Sequence, residues 1–180
     1  MFILKKVLIG ILLLCLLSGC SIFQSEDDTK LINYQSFYQS ILDNDKFLSY
    51  SNYYAVSAER TKMDDGSYRY YIFIDYPQVA MYHIKVMAVE NSIPFEQNKK
   101  MMPSFGVLDG NDYTMIPYQI NSSKNYIKGI SISGETMDEV SEIKMVVSWN
   151  NDKHQQYREY ISFTLDDEHP TYVADEAKGG

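Results

Sequence analysis

The chain has 180 residues with 45 % apolar and 22 % charged side chains, the composition of an ordinary globular protein and not of a disordered one. Its net charge is −8, from 16 basic and 24 acidic residues, which argues against nucleic acid as a partner because phosphates require a basic face. The two cysteines, Cys15 and Cys20, belong to no Cys/His cluster of zinc-binding spacing, and no metal or cofactor is expected.

Lys5 and Lys6 open the chain with positive charge. The eleven residues from Val7 to Leu17 are then apolar apart from Gly10. As a helix this run is about 16 Å long, too short for a bilayer core that needs ~20 residues, and of the right size for a signal-peptide core. Small residues follow, then a cysteine. At Leu17-Ser18-Gly19-Cys20 the chain resembles the lipobox of bacterial lipoprotein precursors. The resemblance covers the first twenty residues only. It implies that residues 1–19 are a signal peptide removed before Cys20. It further implies a diacylglycerol on the Cys20 thiol and acyl chains such as palmitate on the new amino terminus. The protein would then be held on the membrane of a bacterial cell envelope, with its domain outside the cytoplasm. The competing reading is a secretory signal with an incidental cysteine. Loss of Lys5 and Lys6 would take the net charge from −8 to −10 and leave a mature domain with no free thiol and no disulfide.

Residues 20–30 read as the lipidated cysteine and a flexible polar tether that includes Glu26, Asp27 and Asp28. The folded domain is expected over 31–165, and residues 166–180, with Pro170 and a Gly-Gly end, as a flexible acidic tail. Leu31, Tyr34, Phe37, Tyr38, Ile41 and Leu42 recur at spacings of three and four, which predicts a helix over about 31–43. The period then changes to two. Tyr53–Lys62 and Ser67–Tyr76 read as strands joined by Asp65-Gly66, a strong hairpin signal. In the second of these, Ile72 and Ile74 face one way and Tyr71 and Phe73 the other, which predicts a strand covered on both sides. Tyr82–Val89 alternates, and Pro94 opens a polar loop. Tyr113–Tyr118, interrupted by Pro117, reads as an edge strand. Ile127–Ser133, Glu142–Trp149 and Tyr157–Leu165 complete the set.

About seven strands with short turns, preceded by one helix, predict a mainly β fold: an immunoglobulin-like antiparallel β-sandwich. The alternative is an α+β fold with the helix on one curved antiparallel sheet. The chain lacks the Cys…Trp…Cys pattern of antibody domains, so the likeness is architectural.

Reactive constellations are scarce. His83, His154 and His169 have no motif that would orient a base, and Gly-x-Ser-x-Gly, His-Glu-x-x-His and phosphate-cradling glycine loops do not occur. Asp64-Asp65-Gly66 and Asp109-Gly110-Asn111-Asp112 carry oxygen ligands suited to calcium but are also ordinary turn chemistry. Tyrosine is abundant, at 16 residues, and Tyr50, Tyr53, Tyr54, Tyr68, Tyr70, Tyr71 and Tyr76 crowd one region. Tyr68, Tyr70 and Tyr76 share a face with Ile72 and Ile74, which places them in or near the core. In the loop 96–102, Lys99, Lys100, Met101 and Met102 are candidate contacts to a partner or a membrane surface, the alternative being a solvated loop with methionine tucked beneath it. The expectation is a non-catalytic binding or adaptor domain for an envelope protein or a wall component. The rival is an envelope hydrolase with a dispersed site.

Overall fold

The computed structural model describes residues 26–174. The expected signal peptide 1–19, the lipobox cysteine Cys20 and the last six residues of the acidic tail lie outside these residues. No helix among the described residues is long and apolar enough to cross a membrane.

The described residues begin with helix α1 (Glu26–Leu42). It starts five residues before the apolar stripe does. Three carboxylates in its first turn, Glu26, Asp27 and Asp28, face the positive end of the helix dipole, and Glu26 pairs with Lys30 at 2.8 Å. Residues 26–30, expected to be flexible tether, are therefore helix.

Among the described residues, eight strands form two antiparallel four-stranded sheets. The first has the order β5-β2-β1-β8, built from β1 (Ala55–Lys62), β2 (Tyr68–Asp75), β5 (Ile130–Thr136) and β8 (Thr171–Val173). The second has the order β4-β3-β6-β7, built from β3 (Tyr82–Glu90), β4 (Ser104–Phe105), β6 (Ser141–Asn150) and β7 (Gln156–Leu165). Among the described residues the fold is a β-sandwich with one α-helix. The β1–β2 hairpin closes where Asp65-Gly66 predicts: Gly66 takes φ +85° and Met63 N–H donates to Ser67 O at 2.8 Å.

Alternation decides what each face buries. Tyr70, Ile72 and Ile74 of β2 and Ile130 and Ile132 of β5 meet Ile84, Val86 and Ala88 of β3 and Ile143, Met145, Val147 and Trp149 of β6 between the sheets. A second core lies outside the second sheet, where Tyr34, Phe37, Tyr38 and Ile41 of α1 cover Met87, Val89 and Val146. The doubly covered strands are thus β3 and β6, whose central residues are buried in unbroken runs. The double cover expected for β2 is not found. One helix can cover only one sheet, so Tyr71 and Phe73 stay half-exposed and stack on each other with centroids 6.4 Å apart.

Two further expectations are corrected. Residues 113–118 form isolated bridges, such as Met81 with Met115, and not a continuous strand, because Pro117 removes a ladder donor. Part of the expected flexible tail is an edge strand: β8 pairs Ser57–Glu59 of β1, and Tyr172 stacks on Phe163 with centroids 4.3 Å apart. Its approach is fixed by Arg60, which is buried, lies 3.8 Å from the centroid of the Tyr68 ring and donates to Asp167 Oδ1 at 2.7 Å.

Candidate binding site

The loops that leave β2, enter β3 and connect β6 to β7 gather at one end of the sandwich, where a rigid scaffold commonly carries its functional residues. Strand β2 stops at Asp75 because Tyr76 adopts φ +46° and Pro77 cannot donate to a ladder. The strap that follows is held by Gln78 N–H, which donates to Tyr53 O at 2.7 Å. A cleft lies on each side of this strap.

The first cleft, of about 260 Å³, runs between the strap and residues 116–120. Its walls carry Tyr76, Pro77, Ile116, Pro117, Tyr118 and Ile120, with Asp75 and Lys128 as its charged groups. Burial pushes the Asp75 carboxyl above its ordinary range, and Lys128 opposes that shift. Tyr118 is fully exposed at φ +61°, and Tyr76 is 68 % exposed. A left-handed backbone at a bulky residue costs on the order of 1–3 kcal/mol. The turn from Ile116 to Gln119, closed by Gln119 N–H donating to Ile116 O at 3.1 Å, requires a left-handed residue after Pro117, and it holds the exposed Tyr118 ring out beside the cleft.

The second cleft, of about 530 Å³, is lined by Tyr53, Val79, Tyr82, Trp149 and Tyr157, with Asn151 and Asp152 among its polar residues. Trp149 and Tyr157 stack at 5.3 Å and 15°, and Tyr53 lies tilted or edge-on to both. Behind Trp149, Tyr54 is buried and its hydroxyl makes no hydrogen bond among the described residues. Burial, then the charge of Glu159, holds that phenol well above its ordinary pKa. Aromatic surfaces with a few amides and carboxylates suit stacking and directional hydrogen bonding to a bound group.

Close by, a bulge between Tyr82 and Lys85 puts His83 at φ +52°. Its Nδ1 lies 2.7 Å from Asp112 Oδ1, both side chains being exposed. This is a carboxylate-oriented imidazole, but among the described residues no hydroxyl is hydrogen-bonded to its other ring nitrogen. The remaining histidines are in turns. His154 has φ +59° between β6 and β7, and His169 Nδ1 lies 3.2 Å from Asp166 Oδ1, a carboxylate oxygen that can only accept.

The loop residues singled out from the sequence divide into two pairs. Met102 is buried, and its backbone N–H donates to Tyr34 Oη at 2.6 Å. Lys100 Nζ is 2.7 Å from Glu90 Oε2, a buried carboxylate that also accepts from Tyr70 Oη at 2.6 Å. These two residues hold the loop down. Lys99 and Met101 point to solvent. Of the calcium candidates, Asp65 accepts from Ser67 and Asp109 accepts from Asn111 N–H and Tyr113 Oη in turn contacts, while Asp112 pairs with His83.

Tyr68 and Tyr70 are buried as their face predicts. Tyr76 is not, since the left-handed turn breaks the alternation one residue past the strand. Tyr118 and Ile120 were not singled out by sequence reasoning. Their signal is apolar residues around Pro117 in a segment too broken to be a strand. Comparison with known proteins found no family model that matches the chain and no curated relative.

Proposed function

We propose that this is a lipid-anchored protein of the bacterial cell envelope whose sandwich is a non-catalytic binding or adaptor domain for an envelope protein or a wall component. The lipobox-like Leu17-Ser18-Gly19-Cys20 supports the anchor. The recognition end is the pair of clefts beside the Tyr76–Ala80 strap. The observation that carries this reading is Tyr118, with Tyr76 beside it: two exposed aromatic rings on strained backbone flanking one cleft. Tyrosine gives rigid apolar contact with a polar tip and loses little rotamer freedom on binding.

The test is crosslinking of the full chain in intact cells, followed by affinity capture and by sedimentation with insoluble wall. A partner or wall fraction recovered with wild type should be lost with Tyr76→Ala/Tyr118→Ala at an unchanged circular dichroism spectrum. Equal recovery with the double variant overturns the assignment of this end.

A second reading, an envelope hydrolase, draws on the His83–Asp112 pair at 2.7 Å. It requires a scissile bond brought to the free imidazole nitrogen. His83→Ala would then abolish turnover of wall material while leaving capture intact. An unaltered turnover, or none in wild type, removes this reading.

A further inference from the structure

Helix α1 crosses the outer face of the second sheet from the β4 edge toward β7. Asn33 Nδ2 donates to Val107 O at 2.8 Å just past β4, while Phe47, beyond the helix C-terminus, packs edge-on to Tyr160 of β7. The helix therefore overhangs the β4 edge with its first turns. Its apolar stripe is buried from Tyr34 onward; one turn earlier Leu31, at the margin of that stripe, and Ile32, about 100° further round on the outer side of the helix, are 47 % and 51 % exposed. Beside that overhang lies the loop pinned by the two Tyr34–Met102 hydrogen bonds, which leaves Met101 60 % exposed and Lys99 in solvent. Three large apolar side chains from two elements thus sit in solvent on the flank where the chain enters the domain.

Chain length says what this flank faces. Because α1 begins at Glu26, only residues 21–25 separate it from Cys20. Those residues span at most about 20 Å, at ~3.3–3.6 Å each. We infer that the flank formed by Leu31, Ile32 and Met101 seats in the interfacial region of the phospholipid bilayer that carries the Cys20 acyl chains, and so fixes the orientation of the sandwich on the membrane. The inference rests on the lipid-anchor reading. Apolar side chains partition into the headgroup–acyl boundary, and a second contact adds to a covalent anchor without a new diffusional encounter. The charges on this flank are Lys99, the Glu26–Lys30 pair, Asp27 and Asp28. Their balance is acidic, so the contact is apolar in origin and does not call for anionic lipid.

The experiment uses the lipidated full chain in vesicles of phosphatidylcholine, with and without phosphatidylglycerol. Since Cys20 is acylated and the rest of the mature chain has no cysteine, Ile32→Cys, Met101→Cys and, as an exposed control in the β6–β7 turn at the opposite end of the sandwich, Lys153→Cys can each be labelled with an environment-sensitive fluorophore. Expected are blue-shifted emission and quenching by shallow nitroxide lipids at positions 32 and 101, none at 153, and no gain from phosphatidylglycerol. Solvent-like labels at 32 and 101 on protein that floats with the vesicles overturn the inference and leave the anchor standing. Failure to float overturns the anchor itself. Labels shielded equally in detergent, in proportion to protein concentration, would assign the flank to a second copy and overturn the bilayer as its occupant.

Discussion

The ammonium of Lys100 and the carboxylate of Glu90 lie 2.7 Å apart, with Glu90 buried and Lys100 partly in solvent. Tyr70 holds the other carboxylate oxygen at 2.6 Å, and Lys100 also reaches the carbonyl of Glu135. A carboxylate this deep is tolerated because both oxygens are satisfied. The ring of Tyr70 lies across Gly134 of β5, where an added Cβ would collide with it. One loop lysine thus ties the 94–103 loop to β3 and to the β2–β5 pair.

Lys100→Met should therefore destabilise the fold by about 2 kcal/mol, because it leaves a buried charge short of a partner while its exposed half loses little. Glu90→Gln in the same background should recover part of that loss, since a neutral amide needs no counter-charge. Urea unfolding midpoints of the wild type, the two single variants and the double variant read this directly. Additive losses from the two substitutions would show that the residues do not act as a pair.

At Tyr118 stability and binding should separate. Glycine accepts φ +61° without the strain that a tyrosine carries, and the ring of Tyr118 makes no buried contact to lose. Tyr118→Gly is expected to unfold at the same or a slightly higher temperature, within about 1 kcal/mol, and to lose partner capture. A marked drop in melting temperature would mean that the ring packs on the domain.

The acid branch of the stability curve has a named source. The hydrogen bond from Arg60, then that from Tyr68, hold the Asp167 carboxyl below its ordinary value of 3.8, and the Ser67 contacts do the same for Asp65. A carboxylate with a depressed folded pKa contributes stability above its unfolded pKa and loses it as pH falls through the folded value. The protein should therefore lose stability on acidification below about pH 4. Asp75 acts with the opposite sign. Burial raises its pKa, so its ionisation costs stability at neutral pH, and that cost is relieved as it protonates. Asp167→Asn should be less stable at pH 7 and show a flatter decline below pH 4. Parallel curves for the two proteins would remove Asp167 from this account.

The β-sandwich was legible because alternation and turn chemistry are local. Ile143 to Trp149 names its buried face without help from any other strand, and Asp65-Gly66 fixes its own turn. What escaped depends on partners distant in sequence. Thr171–Val173 is too short and too polar in context to announce a strand, and it exists because β1 has a free edge and Phe163 offers a ring to Tyr172. Which strand carries the helix is likewise decided by packing. Met87 and Val89 of β3 present an apolar outer face much like that of Tyr71 and Phe73 in β2, yet only the former is covered. Part of the site hid for a related reason. Lys100 reads as a free loop lysine until the fold places Glu90 beneath it, and Tyr76 reads as a strand residue until its φ is known.

The lipid anchor is tested at one atom. If the Cys20 thiol takes a diacylglycerol, Cys20→Ala removes both the anchor and the residue before which the signal is cut. The variant should therefore be released from membranes or persist as the uncleaved precursor, larger by the nineteen residues of the signal, with no incorporation of labelled fatty acid. Because the described domain begins at Glu26, after Cys20 in the chain, the released form should keep the wild-type circular dichroism spectrum. It should still capture a partner by its cleft end, with lower apparent affinity if that partner is itself on the membrane, since the effective concentration from co-anchoring is gone. Membrane fractionation and mass of the mature chain decide the matter. A Cys20→Ala protein that matures and sediments with membranes as wild type does would show that the cysteine after Gly19 is incidental.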